Sequence, residues 1–283
     1  MLPPSIVIEP WLQQWLREDL GRGDWAVQGL VDLASQSGKA QWVTKAPGIV
    51  CGLPVAQQVF QLLDHKIDWT SLVQEGDRVE VGQPLASLEG PLGSLLTGER
   101  VALNLSMRLS GVATAARQYV DAIAPFPCQF VDTRKTTPGL RILEKYAATV
   151  GGALNHRLGL DDSVMIKDNH IAAAGGIAAA IGQVRQRIPY PLSLEVETES
   201  LDQVEQAVAA GADIIMLDNM APNLMVEAVA RIRQSAPHIK VEASGNISLE
   251  TIQTVAATGV DYISSSGPMT RSFWLDISMQ ILK

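Results

Sequence analysis

Between residues 128 and 264 short apolar runs alternate with amphipathic stretches. The runs fall at 128–132, 164–166, 192–196, 213–217, 240–243 and 260–264. Between them, Leu201, Val204 and Val208 share one helical face. Val226, Val229 and Ile232 share another after Pro222, whose fixed φ suits a first helical turn. The pieces A-A-G-A-D-I-I-M (209–216) and A-T-G-V-D-Y-I-S (257–264) read as one unit repeated, with Gly211 and Gly259 as left-handed caps before a buried strand. Ser248 is expected to cap the helix carrying Ile252 and Val255. Repeated strand and helix predict parallel strands joined by right-handed crossovers, and this many units predict a barrel rather than an open sheet. Six runs are visible, short of the eight of a closed barrel.

The first part of the chain has a different rhythm. Trp11, Trp15, Leu16 and Leu20 return at helical spacing and predict an amphipathic helix over 6–20, ended by the turn at 21–24. Residues 40–46, 48–52 and 79–88 are short and rich in Val, Thr and Gly, which predicts strands, with a short helix over 53–63 between them. The run E-G-D-R-V-E-V-G-Q-P-L-A-S-L-E-G (75–90) resembles the hairpin of biotinyl and lipoyl carrier domains. No lysine sits in a tight turn nearby to receive the prosthetic group, so only the fold hint survives: a small β-rich sandwich. Residues 99–120 predict a long helix with Leu103, Met107 and Ala113 on one face. Gly98 then marks its start and puts Arg100 in the first turn, against the helix dipole, a weak hint that this cation serves a ligand.

Composition narrows the function classes. With 283 residues and 47% apolar residues the chain can bury a substantial core and is too apolar for disorder. A net charge of −8 argues against duplex nucleic acid or an anionic membrane as a partner, because both need a broad basic face. Only two cysteines, Cys51 and Cys128, give no disulfide framework, which points to a reducing cytoplasm. Neither a signal peptide nor an apolar run long enough to span a bilayer is visible.

Against that acidic background, cations gather between residues 131 and 171. Arg134, Lys135, Arg157 and Lys167 each stand where an apolar run ends or a glycine-rich turn begins. Taken singly, each reads more simply as solvated surface charge. Together they suit a small polyanion, because arginine grips carboxylate or phosphate with paired hydrogen bonds. The other runs end alike: Lys167 and Asn169, Glu195 and Glu197, Asp218 and Asn219, then Glu242, Ser244 and Asn246. In α/β barrels such strand ends converge on one mouth. There Glu197 and Asp218 are suited to hold Mg²⁺ directly or through water, to bind sugar hydroxyls, or to stabilise a positive carbon; a structural ion pair with Lys167 or Arg157 is the plainer alternative. Glu195 alternates with Glu197, so either fits the active position. The turns Ser244-Gly245-Asn246 and Ser264-Ser265-Ser266-Gly267 suit phosphate through backbone N–H groups. His156 has no H-x-x-x-H or C-x-x-C companion for zinc, and neither a P-loop nor G-x-S-x-G is present.

The motifs D-T-R-K-T-T-P-G-L-R, G-G-A-L-N-H-R-L-G-L, M-I-K-D-N-H-I, E-V-E, M-L-D-N-M and E-A-S-G-N-I together resemble the quinolinate phosphoribosyltransferase family. The likeness runs nearly the full chain, including E-D-L-G-R-G-D, P-G-I-V-C-G-L and E-R-V-A-L-N-L nearer its start. It implies an α/β fold of two domains. Residues 1–110 would form an N-terminal α/β sandwich, with 273–283 packing back on it, and 111–272 a seven-stranded open α/β barrel. It implies phosphoribosyl transfer from phosphoribosyl pyrophosphate to quinolinate with decarboxylation, Mg²⁺ as cofactor, and a homodimer. By motif, Arg134, His156, Arg157 and Lys167, with Thr133 beside them, would hold quinolinate. Lys135, Glu197 and Asp218 would serve ribose, pyrophosphate and metal. Ser244, Gly245, Asn246 and the turn of Ser265, Ser266 and Gly267 would hold the 5′-phosphate, although many members carry glycine where Ser266 stands. Arg100 would reach the site from the partner subunit. Two other readings remain: a related transferase with a changed acceptor, which intact Arg134 and Arg157 disfavour, and a non-catalytic sugar-phosphate-binding barrel, which Lys135, Glu197 and Asp218 disfavour.

Overall fold

A computed structural model describes residues 1–282, which fall into two units. The first contains residues 1–117, 142–152 and 271 onward; the second contains 118–141 and 153–270.

The first unit is built on an antiparallel sheet. Its strands are β1 (Ser37–Thr44), β3 (Asp68–Ser71), β5 (Pro84–Pro91) and β12 (Ile277–Leu282), in the order β12-β1-β5-β3. A second small ladder pairs β2 (Gly48–Ile49) with β4 (Arg78–Val79). Along β1 every second side chain is buried, so Ala40, Trp42 and Thr44 face the core. Trp42 meets Trp69 of β3 edge-on at 5.2 Å and Phe60 at 6.3 Å, contacts worth about 0.5–1.5 kcal/mol each beyond the area they bury. Phe60 belongs to the helix Leu53–Leu63, which matches the expected span. Glu75 caps it, accepting from Gly52 N at 2.8 Å and Leu53 N at 3.0 Å.

Five expectations change. The run at 79–88 is two strands, because Glu80 to Gln83 form a turn closed by Gln83 N donating to Glu80 O at 3.0 Å. In the helix Ser5–Leu20 the buried stripe is Ile8, Leu12 and Leu16, with the tryptophans flanking it. The long helix runs from Leu92 to Ile123, so Arg100 lies well inside it and the dipole argument for that residue falls. Gly98 is not a boundary: a Cβ there would stand 2.7 Å from the Phe60 ring, so its smallness serves packing. Ser248 does not cap through its side chain; Thr251 holds the cap position, and Ser248 O accepts from Ile252 N at 2.9 Å.

The second unit holds six parallel strands: β6 (Gln129–Val131), β7 (Val164–Ile166), β8 (Leu194–Thr198), β9 (Ile214–Asp218), β10 (Lys240–Ser244) and β11 (Tyr262–Ser264). Their order is β6-β11-β10-β9-β8-β7. Leu154 adds a single parallel bridge on the free side of β6, exchanging hydrogen bonds with Phe130 O at 2.8 Å and Asp132 N at 3.0 Å. That bridge is all that forms of a seventh strand, and among the described residues no ladder joins it to β7. The result is a TIM-like barrel left open on one side. Between strands run the helices Leu201–Ala209 and Pro222–Ser235, and Gly211 and Gly259 take φ of 78° and 88° ahead of β9 and β11.

Candidate active site

The carboxyl ends of these strands surround a cavity of about 460 Å³, within the range of small-molecule sites. Every lining residue belongs to the second unit. Of the residues singled out from the sequence, the cavity brings together Thr133, Arg134, Lys135, His156, Arg157, Lys167, Glu197, Asp218, Ser244, Gly245 and Asn246. Parallel pairing accounts for this, since it aligns strand ends: Ile166 lies opposite Val196, Glu197 opposite Met216, and Asp218 opposite Ser244.

One side of the cavity is cationic. Arg134 follows β6, and its Nε is buried with no hydrogen-bond partner among the described residues. Arg157 is anchored by Nη1 donating to Ser163 O at 2.9 Å. Burial holds its guanidinium below the ordinary range, and the charge of Arg134 pushes it further down, against Glu195 and Glu197. Lys167 ends β7 and pairs with Glu197 across the adjoining strand. Burial raises Glu197, with Asp218 and Glu195 adding to the rise and Lys167 opposing it.

The two glutamates of β8 differ in depth. Glu195 is 1% exposed and sits beneath the mouth, whereas Glu197 is half-buried and lines it. Glu195 belongs instead to a buried group with His156 and Glu242. His156 Nε2 lies 3.2 Å from Glu195 Oε2 and 3.5 Å from Glu242 Oε2, while Nδ1 accepts from Arg157 N at 2.8 Å. That acceptance places the ring proton on Nε2, facing the carboxylates. Both ring nitrogens therefore face protein groups, and His156 N also donates to Asp132 Oδ1 at 2.8 Å. Burial, the largest cause, and the charge of Glu195 push Glu242 up to about 8 against the opposing influence of His156. In the sequence Glu242 stands at a strand end without a task; its place in a three-residue cluster has no signature in residue spacing.

Asp218 Oδ2 accepts from Asn219 Nδ2 at 3.0 Å, and Asn219 Oδ1 accepts from Asn246 Nδ2 at 3.0 Å. Ser264 Oγ donates to Ser244 Oγ at 3.1 Å, joining the last two strand ends. The turn after β11 does not line the cavity. Ser265 Oγ donates to Ile247 O at 2.8 Å and accepts from Gly267 N at 3.2 Å, which commits that hydroxyl to the turn itself. Arg100 belongs to the first unit, exposed, 3.9 Å from the carboxylate of Glu99.

Parallel strands ending in a mouth with guanidinium and ammonium groups on one side and two carboxylates on the other define an α/β-barrel protein that receives a small polyanion. Residues 24–110 match the family model for the N-terminal domain of quinolinate phosphoribosyl transferase, and residues 112–280 match that for its C-terminal domain. A probable nicotinate-nucleotide pyrophosphorylase [carboxylating] of Synechocystis sp. is 59% identical, over 100% of this chain and 95% of its own length. The nicotinate-nucleotide pyrophosphorylase [carboxylating] of Homo sapiens is 38% identical over 99% and 94%. Among solved structures, NadC from Streptococcus pyogenes superposes with a TM-score of 0.93 at 40% identity, covering 99% of each chain. The chain belongs to the quinolinate phosphoribosyltransferase family.

Proposed function

We propose that this protein is a pentosyltransferase of NAD biosynthesis that moves the phosphoribosyl group of phosphoribosyl pyrophosphate onto the ring nitrogen of quinolinate. The nitrogen lone pair forms a bond to ribose C1′ as the C1′–O bond breaks and pyrophosphate leaves with its electrons. The bond between C2 and its carboxylate then breaks, CO₂ departs, and the pair left on C2 takes up one proton to give nicotinate mononucleotide.

The observation that carries this reading is the juxtaposition of Arg134 and Arg157 in one cavity, with the buried Nε of Arg134 unpartnered among the described residues and Arg157 depressed by burial and by its neighbour. Such an arrangement is costly without an anion and favourable with a dianion. Arg134, Arg157 and Lys167 take the two carboxylates of quinolinate, and His156 backs Arg157 through its ring. Lys135 meets the pyrophosphate. Ser244, Gly245 and Asn246, which line the cavity, hold the 5′-phosphate.

Glu197 and Asp218 face the positive charge that develops at C1′, where fixed carboxylates in a site with little water act most strongly. They also give the hard oxygen donors that suit Mg²⁺, directly or through water. Mg²⁺, when bound, would neutralise the departing pyrophosphate. The active form is a homodimer in which Arg100 serves the partner's site; its exposure supports that role. Two buried, free cysteines fit a cytoplasmic setting, and no helix among the described residues is long and apolar enough to cross a membrane.

Incubation with quinolinate, phosphoribosyl pyrophosphate and Mg²⁺ should yield nicotinate mononucleotide and CO₂ in equal amounts. Absence of product from folded protein would overturn the reading.

A further inference from the structure

The end of β9 and the turn after β10 are tied by one side chain. Asn219 donates through Nδ2 to Asp218 Oδ2 at 3.0 Å and accepts through Oδ1 from Asn246 Nδ2 at 3.0 Å. Its backbone N–H donates to Ser244 O at 2.9 Å. Thus one residue touches the carboxylate on one side and both ends of the Ser244-Gly245-Asn246 turn on the other.

The backbone is bent to allow this. Asn219 and Asn246 both have φ of 52°, and they are the only non-glycine residues with positive φ among those described. Asparagine tolerates that region better than most residues, yet holding it costs free energy that the surroundings must offset. Gly245 lies between the strained positions with φ of 93°, and a Cβ there would stand 2.2 Å from Asn219 Oδ1 and 2.8 Å from Asn219 N. The glycine is required because Asn219 lies against it. Backbone strain concentrated at two residues joined by a side-chain hydrogen bond, at the mouth of a cavity, is the pattern of a site that sacrifices stability for placement.

The geometry points to Asn219 as a positioning residue for phosphoribosyl pyrophosphate, a strut that sets the plane of the Asp218 carboxylate relative to the turn receiving the 5′-phosphate. This rests on the transferase reading and deepens it. A carboxylate rotates easily about χ2, and a donor on one oxygen fixes that rotation. Because the same amide accepts from Asn246, its carbonyl and its N–H groups polarise each other. The 5′ end and the C1′ end of the ribose are thereby gauged by a single side chain. The pyridine pocket around Arg134 and Arg157 lies outside this chain of bonds, so the strut governs one substrate and not the other.

The test uses Asn219→Gly and Asn219→Asp in the full-length protein. Glycine accepts the positive φ without strain but removes both side-chain bonds. Its melting temperature and its calorimetric Kd for quinolinate alone should stay at wild-type values, while kcat/KM for phosphoribosyl pyrophosphate falls about tenfold or more, the size expected for a lost hydrogen bond to a charged group. Asn219→Asp keeps an acceptor for Asn246 yet cannot donate to Asp218, and should lower kcat more than it raises KM. Wild-type kinetics in Asn219→Gly would overturn the proposal. So would a loss shared equally by quinolinate affinity and melting temperature, which marks a merely structural residue. If the wild-type protein forms no nicotinate mononucleotide, the transferase reading fails by itself. Calorimetric titration with phosphoribosyl pyrophosphate then still decides the strut, since Asn219→Gly must bind it more weakly than wild type.

Discussion

Arg134 and Arg157 stand close enough that the charge of the first depresses the guanidinium of the second, and burial, not a neighbouring carboxylate, is the largest influence on Arg157. Two like charges are held together, only partly offset by Glu195 and Glu197, and an entering anion relieves their repulsion further. Nicotinate, with one carboxylate, leaves part of this array unmatched. Its kcat/KM should fall below that of quinolinate by about 10³ or more, the discrimination expected when buried polar groups lose their partner. Steady-state kinetics with the two acids checks this, and comparable values would remove the dicarboxylate assignment.

Glu197 answers a different question, because Lys167 already pairs with it in the cavity. If the pair were only structural, Glu197→Gln would weaken the fold and leave turnover of the folded fraction intact. The expected outcome is a fall in kcat of about 10²–10³ with little change in quinolinate affinity. The pH profile adds a sign. Glu197 is raised from the usual carboxylate value, partly by Asp218, and it works ionised, so activity is lost as pH falls through that raised value. Asp218→Asn removes one upward push, and the acid limb of its residual activity should move to lower pH.

Much of this site was legible in the chain because parallel βα units place their chemistry at strand ends, so 167, 197, 218 and 244–246 could be collected without knowing any distance. The depth of each residue was not legible. Glu195 and Glu197 alternate identically, and only the packed barrel shows that the first lies beneath His156 and the second lines the mouth. β3, with the largely exposed sequence Asp68 to Ser71, was invisible because its strand character comes from pairing with β5 rather than from its own residues. The start of the long helix was misplaced for a related reason: Gly98 reads locally as a stop, and the Phe60 ring that requires a glycine there is distant in sequence.

The buried carboxylate of Glu242 should make stability fall with rising pH. Its folded value is pushed up to about 8, above that of an unfolded glutamate, so between these values the folded protein binds the extra proton. The cost is absent below the unfolded value near 4.3 and fully present once pH passes the folded value. Glu242→Gln mimics the protonated form. Its melting temperature relative to wild type should rise from about pH 5 and level off above about pH 8, as differential scanning calorimetry would show. A pH-independent difference would mean that Glu242 is ionised throughout, paired with His156.

The shared-site proposal for Arg100 is checked by subunit exchange. Arg100→Ala and Arg157→Ala should each be inactive alone. In a mixed dimer one barrel keeps Arg157 and receives an intact Arg100, while the other has lost both. Random exchange makes half the dimers mixed, so activity should return to roughly a quarter of wild type for two equivalent sites. No recovery, after native mass spectrometry has confirmed mixed dimers, would place Arg100 in its own subunit's chemistry or in none.

β12 lies against β1 along six paired positions, from Lys39 with Leu282 to Thr44 with Ile277, yet every residue of the barrel separates them in the chain. During synthesis β1 can pair with β5 soon after both emerge, but its other edge has no partner until the whole barrel and then β12 have been made. For that interval the nascent chain carries an open strand edge, the kind of surface that pairs with neighbouring chains. The barrel must form behind a sheet that is still incomplete. Ribosomes crowded on one message would bring several such edges together, so a delay in translating the barrel would be felt as aggregation of the first unit, although every codon of its first 117 residues had already been read.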